Sequence, residues 1–245
     1  MEIFEQVGLA FLSRWLHILS GITWIGLLYY FNFVQVPAFA EFEAAARTEA
    51  LRKLAPRALW WFRWGAVATV ATGLLILGFQ EHFDGDYVKT PAGMSIFTGA
   101  LIGLVMAANV WGVIWPNQKT VMASAEGVAA GREADPNAAP AGRKALLASR
   151  QNTIFSIPLL FFMAATSHFA GSGGFNQAPE SGDRMLWWIV VLVVVLLLEL
   201  NALGVLGGTG DTALNKIYAN HKNAITAGFV ITILFYVVFE IAFSA

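Results

Sequence analysis

The 245-residue chain contains no cysteine. That excludes disulfides, thiolate metal sites, iron–sulfur clusters and a covalently attached c-type haem, whose attachment needs Cys-x-x-Cys-His. Charge is also scarce, at 13% Asp, Glu, Lys and Arg. A soluble domain carries roughly twice that fraction. The opening MEIFEQVGLAFLSRW has neither a basic leader nor a small-residue cleavage site, so it is expected to be mature sequence, not a signal peptide. What is present is apolar: 57% of residues are hydrophobic and mean hydropathy is +0.62.

Several uncharged runs approach about 20 residues, the length that crosses roughly 30 Å of hydrocarbon. The expected fold class is all-α, a polytopic membrane bundle of about six spans forming a single integral membrane domain over residues 1–245. The spans are placed at Val7–Val36 (ending near Pro37), Leu59–Gln80, Ala92–Trp115 (stopped by Pro116), Leu146–Ala170, Met185–Leu206 and Lys222–Phe243. One sizeable loop, at about 117–145, is expected to be cytoplasmic. It begins as a helical extension and becomes the Pro/Ala/Gly-rich GREADPNAAPAGRK, which reads as a mobile linker.

Basic residues set the expected orientation. Arg47, Arg52, Lys53, Arg57, Arg63, Lys119, Arg132, Arg143, Lys144, Arg150, Lys216 and Lys222 all fall on one side, against Arg14, Lys89 and Arg184 on the other. The chain is thus expected in a bacterial inner membrane, in contact with lipid, with both termini periplasmic. No feature suggests a nucleic-acid partner.

Arg14 and His17 stand in an apolar span, where an ionisable group is costly without a partner. With this orientation His17 lies in the outer half of the first span and His168 near the outer end of the fourth. His82 falls in an outer loop, and His221 is on the cytoplasmic side. Two intramembrane histidines on one side suggest axial ligands of a haem b held between helices. Arg14, three residues before His17, shares its face and would pair with a propionate. In the alternative reading His17 hydrogen-bonds across to a neighbouring helix and Arg14 snorkels to the headgroups. Depth sets a condition, because ligands of one iron must lie level. His17 is about 15 Å below Val7, whereas His168 is about 5 Å from Gly171. The mismatch shrinks if residues 1–11 lie at the interface and the span starts near Leu12; otherwise the two serve different sites.

Glu199 and Asn109 read as inter-helix hydrogen bonding, with a proton relay as the alternative for Glu199. WWFRW (60–64) and Trp187-Trp188 read as interfacial anchors. GVLGGTGD, from Gly204, lacks the strand, helix and lysine of a phosphate loop and reads as a turn.

Three stretches together resemble the bacterial membrane urate hydroxylases, whose membrane part is the urate oxidase N-terminal domain. They are RWLHILSGITWIG (14–26), NVWGVIWPNQKTV (109–121) and QNTIFSIPLLFFMAATSHF (151–169). The first also resembles other haem-linked membrane families, including small protoporphyrinogen-oxidising proteins and the copper-resistance D family. The resemblance implies a haem b membrane oxidoreductase that converts urate to 5-hydroxyisourate and passes electrons to a c-type cytochrome. His17 and His168 match the family's intramembrane histidines. Full-length members carry a cytochrome c domain after the membrane part. Here the sequence ends at FEIAFSA after the sixth span, so a separate cytochrome in trans is the expected acceptor. The alternative is a non-catalytic accessory subunit of a respiratory or photosynthetic electron-transfer complex. A transporter is disfavoured, because no inverted repeat or matched pair of broken spans is found.

Overall fold

The computed structural model describes residues 2–169, 175 and 179–244. Seven helices account for most of them: α1 Gln6–Glu41, α2 Ala44–Lys53, α3 Ala55–Phe79, α4 Pro91–Ala129, α5 Ala138–Phe169, α6 Ser181–Ala202 and α7 His221–Phe243. All but α2 are long and apolar enough to cross a membrane, so the chain is a multi-pass membrane protein. Six crossings bring Gln6 and Phe243 to one end of the bundle, called here the terminal end. The α4–α5 and α6–α7 connections lie at the opposite, basic end.

Two expected stops are not stops. α1 runs through Pro37 and α4 through Pro116. Each proline is preceded by a π-helical turn, Tyr30–Gln35 in α1 and Val110–Ile114 in α4. A proline ring inside a helix collides with the carbonyl four residues earlier and removes a hydrogen bond. The wider π turn takes up both defects, so the helix continues. The linker reading also needs correction: α5 already begins at Ala138. Pro140 stands in its first turn, where no N–H is needed. Ala141 is buried, and Gly142 lies close to Val121 of α4. Only residues 130–137 remain as connector. α6 starts and ends four residues earlier than expected, and the expected end of the fourth span, Ala170, lies outside the described residues.

The most buried span is α5, packed between α4 and α7. Gly228 of α7 makes this approach possible, because a Cβ there would lie 2.9 Å from the Ile154 carbonyl oxygen. α1 pairs chiefly with α3 and forms the other side of the bundle. Aromatic rings fill the terminal end: Phe162, Trp187, Phe235, Phe239 and Phe243 are all nearly inaccessible. Trp187 is therefore not an interfacial anchor. Its indole N–H donates to the Thr98 hydroxyl at 3.0 Å inside the core. Trp60, Trp61 and Trp64 remain exposed, as anchors require.

Candidate functional site

At the terminal end the His17 ring turns toward α3. Its Nδ1 is 2.8 Å from the Thr69 carbonyl and 3.2 Å from the Thr72 hydroxyl. A helix carbonyl is ordinarily screened by the side chain four residues on; here that residue is Gly73. A Cβ on Gly73 would stand 3.1 Å from His17 Cε1, so the missing side chain is the slot that the imidazole occupies. Because a carbonyl only accepts, Nδ1 carries the proton and Nε2 keeps its lone pair. The inter-helix bond of the alternative reading is therefore present, and it uses Nδ1 alone.

Arg14 is exposed, and its charge falls on His82. The His82 ring stacks on Tyr87 at 3.9 Å between centroids. Burial, and then the Arg14 guanidinium, hold the His82 imidazole below its ordinary value.

His168 is exposed. It lines an open groove of about 510 Å³ with Phe161, Ala164, Ala165 and Phe169 of α5 and Tyr236 of α7. The Tyr29 hydroxyl meets the Ser156 hydroxyl at 2.9 Å and ties α1 to α5. Counted from that tie, His17 and His168 are each about 18 Å away along their own helices. Their depths therefore match better than the sequence suggested, but the rings do not meet. His17 faces α3 and His168 faces the α5–α7 groove. Among the described residues no group of three or more His, Asp or Glu could hold a bare metal ion.

A second polar centre lies toward the basic end, around the run Ser149–Ser156 of α5. Asn109 Nδ2 donates to Asn152 Oδ1 and to Glu199 Oε2, each at 3.0 Å. Asn152 Nδ2 donates to the Met106 carbonyl at 2.9 Å. Asn32, inside the α1 π turn, donates to Ser149 at 2.8 Å. The Tyr218 hydroxyl donates to Gln151 Oε1, and burial pushes its phenol pKa upward. Asn109, Gln151 and Asn152 are essentially inaccessible. Both π turns thus adjoin a buried asparagine that reaches α5, and such turns recur at functional sites. The sequence reading had Asn109 and Glu199 as inter-helix bonds, which they are. It did not single out Asn32, counted Arg150 only toward orientation, and had Gln151 and Asn152 only as the opening of a quoted stretch. The signal available was six polar residues within eight positions of an apolar helix.

Two of the three stretches quoted from the sequence are joined here through Asn109 and Asn152. The family model described as "Urate oxidase N-terminal" matches residues 85–202, which hold both stretches and not His17. Neither a curated protein nor a solved structure matches the chain. Residues 85–202, 118 of the 245, are therefore similar to the urate oxidase N-terminal family.

Proposed function

We propose that the protein is a haem b membrane oxidoreductase of the urate hydroxylase kind. It would oxidise urate to 5-hydroxyisourate and pass electrons to a c-type cytochrome in trans. One observation carries the haem reading: His17 has the donor arrangement of a ligating histidine. Metal-bound imidazoles characteristically donate their other N–H to a carbonyl or carboxylate, which fixes the tautomer and turns the free nitrogen to the metal. His17 does this through Thr69.

In this reading His17 Nε2 would hold the iron, and Arg14, one turn nearer the terminal end, would pair with a propionate. When bound, the haem supplies one-electron chemistry at a potential set by its ligands and their hydrogen bonds. The protein's share is to fix the His17 tautomer through Thr69, seat its ring in the Gly73 slot and place a cation beside it. His168 is the candidate for a second ligand, or for a separate site in its groove. Urate as substrate rests on the family likeness.

The test is a reduced-minus-oxidised visible spectrum of the purified protein, with pyridine haemochrome quantitation, before and after urate. A b-type spectrum that reduces on urate supports the proposal. Haem indifferent to urate keeps electron transfer, as in an accessory subunit, and removes the substrate. No haem removes the oxidoreductase reading. His17→Ala is expected to abolish the spectrum, and a variant with an unchanged low-spin spectrum would sink the ligand assignment.

A further inference from the structure

Arg150 is 6% exposed and has no carboxylate within 4.0 Å among the described residues. The charged neighbour acting on it is Arg143, of the same sign. Its Nη1 donates to the Tyr218 carbonyl, at the end of the short 3₁₀ turn Leu214–Tyr218. Its Nε is fully buried without a partner. Nη2 has no partner either, yet is not sealed in. Gln151 Nε2, on the other side of Tyr218, is a second buried donor without an acceptor.

A buried guanidinium without counter-charge is strongly unfavourable. The edge left without a protein partner, Nε with Nη2, is the fork that takes two oxygens of a carboxylate or phosphate. Above it lies the connection between α6 and α7. Arg143 holds that connection down, with Nε donating to the Thr209 carbonyl at 2.8 Å and Nη2 to the Gly210 carbonyl at 3.2 Å. Asn215 Nδ2 donates to the Gly208 and Gly210 carbonyls. With these carbonyls engaged by Arg143 and Asn215, none of them turns to Arg150.

We infer that the buried, unpaired edge of Arg150 is an oxyanion site at the basic end of the bundle. Its ligand presents two oxygens on one negative centre, from a free oxyanion or an anionic lipid headgroup. The site is independent of the haem and urate reading.

The experiment follows the unfolding midpoint of the purified full-length chain in neutral detergent. Inorganic phosphate is titrated against sodium chloride at matched ionic strength, and phosphatidylglycerol is added as mixed micelles in a second arm. A saturable rise of a few degrees is expected in one arm and not with chloride. A rise with phosphate assigns a soluble oxyanion; a rise with phosphatidylglycerol alone assigns a headgroup. Arg150→Gln is expected to weaken the response at least about 10-fold. If that variant does not fold, Arg150→Lys keeps the charge without the fork and is expected to weaken it similarly. Wild-type protein without a saturable rise in either arm overturns the site, as does a response that Arg150→Gln or Arg150→Lys leaves intact.

Discussion

Gly73→Ala would set a carbon 3.1 Å from the Cε1 of His17, on the wall that the ring lies against. The ring must then swing or lose its bond to Thr69. Haem affinity is expected to fall about 10- to 100-fold, the usual cost of disturbing a ligand's outer hydrogen bond. Haem retained per protein after dialysis checks this, with His17→Ala as the zero. His82 gives a pH prediction. Its folded value lies below the ordinary 6.5, from burial first and Arg14 second. The unfolded chain therefore binds this proton at higher pH than the folded one. The stability contributed by neutral His82 is present above about pH 6.5 and is lost as pH falls through the lower folded value. Arg14→Gln is expected to raise the His82 pKa toward 6.5, read from the Cε1 proton in an NMR titration. At this scale the sequence was informative about residue type alone. His17 stood out as an imidazole in lipid. Its partners were not legible, because a carbonyl belongs to every residue and Gly73 is one of 23 glycines.

Among the helices, α4 and α5 are joined by amides where most bilayer-embedded contacts are apolar. Asn109→Leu would leave both Asn152 Oδ1 and Glu199 Oε2 without their donor. The expected loss is about 1–3 kcal/mol, measured by reversible unfolding in mixed micelles. Coupling between Asn109 and Asn152 in a double-mutant cycle is expected near 0.6 and below about 1.7 kcal/mol, as for other membrane hydrogen bonds. All six spans were legible as apolar runs. Their ends were not, and the misses share a cause. Pro37 and Pro116 were read as breakers from backbone rules for a regular α-helix. Whether a π turn precedes a proline depends on packing against α5, which adjacent residues do not encode. The same holds for GREADPNAAPAGRK, whose second half is helical because Ala141 and Gly142 pack against α4.

For the whole molecule, the absence of cysteine makes topology directly measurable. A single cysteine at Asp135 and another at Ser244 are expected to react with an impermeant maleimide from opposite sides of sealed vesicles, with Asp135→Cys on the cytoplasmic side. Labelling of both from one side would contradict six crossings, and an inverted pattern would reverse the orientation alone. The bundle's class followed from composition, whereas its division into an α1–α3 pair and an α4–α5–α7 core did not, since pairing between spans leaves no mark in hydropathy. That division has a mechanical consequence. The hydrogen bonds between α1 and α5, Tyr29 with Ser156 and Asn32 with Ser149, lie toward the basic end. The two helices are joined as the arms of a clothes peg are joined, at the spring and not at the jaws. A guest that spread the terminal ends of α1 and α5 would load the spring, and Asn152, three residues from Ser149, would feel it.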